Sequence, residues 1–309
     1  MSIFAYEFMQ RALLGVLITG LAAPALGTYL VQRRLALIGD GIGHIALTGV
    51  GLGLLTGAAP VWTAVVVSAL GAVTVELIRE RGRASGDIAL ALLFYGGISG
   101  GVFLVALSAG QTNANLTAYL FGSPLTTSPT DLTIMAVLGG AVLAVTLLLR
   151  PWLFAISHDE EYARVAGLPV RALNLLLAVT TAVTVTVAMR AVGLLLVSAL
   201  MVVPVATAQL VTRGFRATMH LAMLIGVLAA GLGITLAGSY DTAPGATIVL
   251  VAIALFALLA AGLAGFRASR RAATRRGSPM TGAGDEPEPP DVLLAVRANG
   301  ERHDPAHDR

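Results

Sequence analysis

A chain of 309 residues that is 56% hydrophobic and only 12% charged falls well short of the charge of a soluble domain, about a quarter of its residues, and is read as a polytopic membrane protein. All twenty basic residues are arginine, so a phosphate-binding loop of the G-x-x-x-x-G-K-[ST] type is impossible, and the absence of cysteine excludes disulfides, thiolate metal sites and thiol nucleophiles. The formal charge of +3 hides an uneven distribution, because most arginines sit between apolar runs or in the C-terminal segment.

Nine apolar runs are expected to span a membrane as helices, near residues 11–32, 37–57, 60–78, 87–109, 130–149, 171–189, 192–211, 218–238 and 244–266. Each is close to the ~20 residues a helix needs to cross. The first run follows no basic n-region and is long enough to span, so it reads as an uncleaved helix and not as a signal peptide. After the odd-numbered spans come Arg33 and Arg34; Arg79, Arg81 and Arg83; Arg150, Arg164 and Arg171; Arg213 and Arg216; and the cluster from Arg267 to Arg276. The opposite side carries only Arg11 and Arg190. Arginine accumulates on the cytoplasmic side, which places the N-terminus outside and the C-terminus in the cytoplasm of a cell-membrane protein. The fold class expected is an all-α helix bundle: a transmembrane domain over 1–266 and a tail over 267–309.

Glycine, at 35 residues, recurs at four-residue spacing as Gly49/Gly53/Gly57 on the second span and as Gly96/Gly100 and Gly97/Gly101 on the fourth. Small residues so placed let helix backbones approach closely, and close packing is the preferred reading over a ligand groove. Pro24 and Pro204 interrupt spans one and seven, which is tolerated where protein or water covers the freed carbonyls. The longest extracytoplasmic segment, 110–131, is polar and nearly uncharged. The tail begins with Arg270, Arg271, Arg275 and Arg276 and continues rich in glycine, proline and acid. It reads as disordered, with a basic start suited to anionic membrane lipid. His303 and His307 read there as solvated tail histidines.

One polar island stands out, residues 156–171, where Asp159, Glu160, Glu161, Tyr162 and Arg164 crowd together ahead of Gly167 and Pro169. Asp159 is suited to cap a short helix with acidic residues in its first turn. Gly167 is a natural left-handed stop, and Pro169 prevents continuation. On the arginine topology this helix is cytoplasmic. It is either a grip for a soluble partner or an ordinary solvated loop.

Ionisable residues within spans are costly and are therefore candidates for function. The clearest are Asp40 and His44, four residues apart and on one helical face. A carboxylate and an imidazole suit Zn²⁺ or Mn²⁺. The structural alternative has Asp40 capping the second span and His44 bonded to it. Asp87 reads as the N-cap of span four, His158 and His220 as interfacial, and Asp241 as an outer-loop residue. No Ser-His-Asp set, H-E-x-x-H or paired-carboxylate motif supports an intramembrane enzyme. A secondary metal transporter or channel without an ATPase stands as the alternative, disfavoured by the lack of visible inverted repeats and of membrane-buried charge.

From Arg33 onward the pattern resembles the permease subunits of zinc/manganese-type ABC importers, the ZnuB-like family. The residues that carry the resemblance are Arg33-Arg34-Leu-Ala-Leu-Ile-Gly-Asp40 with His44 and Gly49, and the block from Asp159 through Gly167 to Asn174. Arg190-Ala-Val-Gly-Leu-Leu-Leu-Val-Ser-Ala-Leu200 with Pro204 and Ala206, and Pro244-Gly-Ala-Thr-Ile-Val-Leu250, complete it. The resemblance covers about residues 10–266. It implies an importer of two permeases and two cytoplasmic ATPase subunits, fed by an extracytoplasmic metal-binding protein. The metal would then be cargo and not a permanent cofactor, and no nucleic acid is implied. It also implies that Asp159, Glu160, Glu161, Tyr162, Arg164 and Gly167 belong to a coupling helix that docks on the ATPase, and that Asp40 and His44 line the metal path. The chain departs from the family pattern at Gly43 and Thr48, where serine and proline are usual, and at Gly86-Asp87, where Glu-Asp is common.

Overall fold

The computed structural model describes residues 7–80, 86–108, 119–122 and 128–277. These residues are helical, and no strand occurs among them. In chain order the helices are α1 (Glu7–Gln32), α2 (Ile38–Thr56), α3 (Pro60–Glu80), α4 (Gly86–Leu107), α5 (Pro129–Leu148), α6 (Arg150–His158), α7 (Glu160–Val165), α8 (Val170–Ala191), α9 (Leu194–Gln209), α10 (Phe215–Tyr240) and α11 (Pro244–Gly277). Seven of them (α1, α2, α3, α5, α8, α10 and α11) are long and apolar enough to cross a membrane. Two shorter apolar segments, Ala91–Leu107 and Val197–Gln209, fall at the fourth and seventh expected spans. The described residues up to 263 form one compact unit and those from 264 to 277 belong to another. Of the second, the described residues 264–277 are helical, and the tail with His303 and His307 lies outside the described residues.

Two helices organise the first unit. α1 packs against α10, α9, α5 and α8, and α2 packs against α4, α3, α8 and α9. Small residues set both arrangements. Pro24 supplies no N–H, so the Gly20 carbonyl one turn earlier lacks its helical donor. That carbonyl lies against Gly226 of α10, closer than any Cβ at 226 would permit. The proline break therefore faces a helix contact and not lipid. Tyr29 then ties α1 to α5 and again to α10. Its hydroxyl donates to the Thr146 carbonyl at 2.6 Å, and its ring meets Phe215 with centroids 5.1 Å apart.

The glycine spacing on α2 and α4 serves three different purposes. Gly49 and Gly53 lie against α3 at Ala64, Thr63 and Pro60. Gly57, expected to continue that stripe, has open space around it and instead ends α2 in the left-handed region at φ 69°. On α4, Gly97 and Gly101 meet α2 at His44, Ile45 and Leu47, whereas Gly96 has no neighbour within 4 Å. A Cβ at 97 would stand 2.5 Å from the His44 carbonyl carbon, and backbone cannot step aside as a side chain can. Gly97→Ala is therefore expected to destabilise the bundle by about 1–3 kcal/mol, read as a lower thermal midpoint in detergent. Gly96→Ala should be neutral, and equal midpoints for the two variants would contradict the close crossing.

Candidate functional site

The polar island folds as two short helices. α6 begins at Arg150-Pro151, with the proline in the first turn where its missing N–H costs nothing, and it buries Leu153, Ile156 and Ser157. Phe154 stacks on His158 with centroids 5.6 Å apart and meets Phe215 at 4.8 Å, which sets α6 against α10. Asp159 then extends the backbone to φ −150°, and its Oδ1 accepts the Tyr162 N–H at 2.9 Å, capping α7. α7 ends through paired bonds, Gly167 N–H to the Arg164 carbonyl and Leu168 N–H to the Ala163 carbonyl, both at 3.1 Å. Gly167 stands at φ 80° with no atom near its Cβ position, so the left-handed backbone alone demands glycine there.

The side chains of α7 divide between two faces. Ala163 is fully buried, while Tyr162 and Val165 are 69% and 87% exposed, with Glu161 and Arg164 exposed beside them. Glu160 turns inward. It accepts from the Arg33 guanidinium at 2.8 Å and from the Asn174 amide at 3.2 Å, and Arg79 lies 3.8 Å away. Arg33 also donates to Asn174 Oδ1 at 2.9 Å, and Arg79 holds Glu76 of its own helix at 2.9 and 2.6 Å. Nearby, Arg171 pairs with Glu80 at 3.2 Å. Burial first, and then the neighbouring Arg79, pull the Arg33 guanidinium below its ordinary range, with Glu160 and Glu76 opposing. Stranding one charge of a buried pair costs about 3–5 kcal/mol. Glu160 is not stranded when Arg33 is lost, because Asn174, Arg79 and Arg164 remain as partners, so the penalty falls well below that range. An open cleft of ≈ 650 Å³ adjoins this network, bordered by Glu80, Glu160, Arg164, Pro169 and Arg171.

Asp40 and His44 share one face of α2 with their side chains 3.8 Å apart, His44 Nε2 to Asp40 Oδ1. The capping alternative for Asp40 does not match the geometry. α2 is preceded by Leu37 at the cap position, without a side-chain cap bond, and Asp40 already lies in the first turn. Its carboxylate instead accepts weakly from the Ser198 hydroxyl of α9, at 3.5 Å. Gly39 and Gly43 permit that approach, because they lie against Met201, Ser198 and Leu194. His44 is 2% exposed and meets Phe94 of α4 edge-on at 4.3 Å. Its Nδ1 is buried with no hydrogen-bond partner, the one such side-chain atom among the described residues. Buried imidazole nitrogens are ordinarily satisfied, so this one is an exception. No cluster of three or more His, Asp or Glu occurs among the described residues, and one chain therefore offers two ligands here, too few for a closed site.

The remaining candidates are scattered. His158 and His220 are exposed, and Asp241 is an exposed left-handed residue at φ 50° that ends α10. The Asp87 and Arg190 side chains, Arg81, Arg83 and most of the segment 110–131 lie outside the described residues. Glu76 is the residue that sequence reasoning missed. It is a carboxylate inside an apolar span with an arginine three residues on, the same signal that singled out Asp40 and His44. α6 was missed as well, although Arg150-Pro151 with Leu153 and Ile156 marks a short amphipathic helix.

Residues 5–262 match the family model described as the ABC 3 transport family. The manganese transport system membrane protein MntC of Halalkalibacterium halodurans is 33% identical over 256 residues, 83% of this chain and 87% of that one. The chelated iron transport system membrane protein YfeD of Yersinia pestis is 35% identical over 253 residues, 82% of this chain and 84% of that one. Among solved structures, PsaBC from Streptococcus pneumoniae in complex with Fab superposes with a TM-score of 0.76 at 29% identity, covering 84% of this chain and 92% of that one. With the match running from before α1 to within α11, through both the α2 pair and the α7 cap, the chain belongs to the ABC 3 transport family.

Proposed function

We propose that the chain is the membrane-spanning permease subunit of an ATP-driven importer that carries a divalent metal ion, zinc or manganese, into the cytoplasm. Hydrolysis falls to a separate cytoplasmic ATPase chain, since this one has no lysine for a phosphate-binding loop. The α7 helix is the docking element for that chain, presenting Glu161, Tyr162, Arg164 and Val165. An extracytoplasmic metal-binding protein delivers the ion at the other end of the bundle. The metal is cargo: Asp40 and His44 ligate it in passing, and a second copy of the permease supplies a second pair. The single observation that supports the metal reading most is the His44 imidazole, whose Nε2 lies 3.8 Å from the Asp40 carboxylate and whose Nδ1 is buried without a hydrogen-bond partner. Relatives named for manganese and chelated-iron transport are in keeping with it.

The N-terminus lies outside and the tail from 267 in the cytoplasm, a reading that rests on the arginine asymmetry. A reporter fused after Arg276 checks it, with cytoplasmic activity the expected result. The test of function is ATP hydrolysis by the complex of permease, ATPase chain and binding protein in lipid vesicles, scanned over zinc, manganese, iron and calcium. Stimulation several-fold over the metal-free rate by a transition metal, with accumulation inside the vesicle only when ATP is supplied, is expected. Metal movement at full rate without the ATPase chain would replace this reading with secondary transport.

A further inference from the structure

We infer that Glu160, Arg33 and Arg79 form an internal joint that passes movement of α7 to α2, the helix bearing Asp40 and His44; this rests on the permease reading above. Three observations converge on it. First, Glu160 is the one acidic side chain of α7 turned away from the exposed face, and it meets residues from three other elements. These are Arg33 after α1, Arg79 on α3 and Asn174 on α8. These inward partners hold the carboxylate within the permease, with its side chain 32% exposed at the border of the cleft. Second, in the chain of opposite charges Glu76–Arg79–Glu160–Arg33 the two end links are hydrogen bonds and the middle one is an ion pair at 3.8 Å, and the outer carboxylate and the outer guanidinium are only 7% exposed as side chains. At a helix end shielded from water, such charges move together more readily than they separate.

Third, the joint ends at the turn that starts α2. Arg33 is followed by Arg34, a non-glycine residue in the left-handed region at φ 59°. Bonds from Arg34 N–H to the Val31 carbonyl and from Leu35 N–H to the Leu30 carbonyl close that turn, both near 3 Å (3.1 and 2.8 Å). This is a position where glycine is the usual residue, so the turn holds a sparsely populated backbone. Ile38 begins α2 four residues later, and Asp40 lies in its first turn. A displacement of α7 that carries Glu160 with it pulls Arg33, and Arg33 is part of the segment that positions Asp40. Glu160, Arg33 and Arg79 are accordingly positioning residues, not metal ligands and not ATPase contacts.

The test uses the full complex in vesicles, comparing wild type with Glu160→Gln, Arg33→Gln, the double variant and the exchange Arg33→Glu with Glu160→Arg. Two quantities are read: affinity of the ATPase chain for the permease, and the ratio of metal-stimulated to metal-free ATP hydrolysis. The joint predicts wild-type affinity with the several-fold stimulation ratio falling to near one in each single variant. The double variant should be no worse than either single one, because both remove the same link. The exchange should recover part of the ratio. Unchanged stimulation in both single variants overturns the joint, as does additive loss in the double variant, or loss of ATPase affinity in Glu160→Gln that accounts for the lost stimulation. Absence of metal stimulation in the wild-type complex is a separate outcome, which removes the importer reading and the joint with it.

Discussion

A His44→Ala variant is expected to reach the membrane at wild-type abundance, to bind the ATPase chain and to lose metal uptake by an order of magnitude or more. Each tenfold loss corresponds to ~1.4 kcal/mol of interaction with the passing ion. The expectation follows from what surrounds the imidazole. One nitrogen lies 3.8 Å from the Asp40 carboxylate, the other is buried without a partner, and the ring meets Phe94 edge-on. The Phe94 contact joins α2 to α4, but the backbone approach of the helices is set at other residues. The close approach of α4 to α2 runs through Gly97 and Gly101, and that of α9 through Gly39 and Gly43. The competing reading makes His44 a packing residue whose loss leaves a cavity and lowers stability.

Asp40→Asn separates the two readings. It keeps the size of the side chain and an oxygen for the Ser198 hydroxyl, and it removes only the charge. A metal path predicts that uptake falls in Asp40→Asn at unchanged abundance, because a neutral amide binds zinc or manganese more weakly than a carboxylate does. A packing role predicts that Asp40→Asn is silent and that His44→Ala acts through the amount of protein. Uptake of radioactive zinc or manganese, normalised to permease in the membrane, distinguishes them. Wild-type uptake in Asp40→Asn, or loss in His44→Ala proportional to lost protein, rejects the metal role.

How far the fold was legible depended on what each signal measures. Length and apolar content report spans directly, so the nine runs reappear as helices at their expected places. Glycine spacing reports only that something can come close, not what does. Gly49/Gly53 and Gly97/Gly101 proved to be helix contacts, Gly57 a helix stop, and Gly96 an open face. The α7 cap was readable because Asp159, Gly167 and Pro169 act on their own local backbone. The inward turn of Glu160 was not readable, because Arg33 and Arg79 come from distant stretches of the chain and Asn174 from the helix that follows. The same limit applies to Asp40. Its spacing to His44 was plain, but whether it caps α2 or faces α9 depends on where Ser198 lies.

The exposed face of α7 carries the second large effect. Val165→Asp and Glu161→Arg are expected to weaken ATPase-chain binding by roughly ten- to a hundredfold, which is the ~1.4–2.7 kcal/mol range of a strong interface contact. Val165 is an aliphatic side chain 87% exposed at the end of a rigidly capped helix, with Tyr162 beside it at 69%. A monomer in water has little reason to hold an apolar pair out on a six-residue helix that is anchored by a fully buried Ala163. A partner that covers it does, since burying such side chains drives association and charged rim residues set the orientation. Both substitutions lie on the outer face, so insertion and the Glu160 network should survive, and basal hydrolysis by the ATPase chain alone is untouched. Gly167→Val should act differently. It forces a β-branched residue into a left-handed backbone at φ 80° and tilts the face without changing its chemistry. The three variants therefore sort by mechanism when binding is measured against salt. Glu161→Arg should lose its defect as salt screens the contact, and Val165→Asp and Gly167→Val should keep theirs. Wild-type ATPase binding by both Glu161→Arg and Val165→Asp would falsify α7 as the docking helix, and would move the search for that contact to the neighbouring cleft between Glu80 and Arg171.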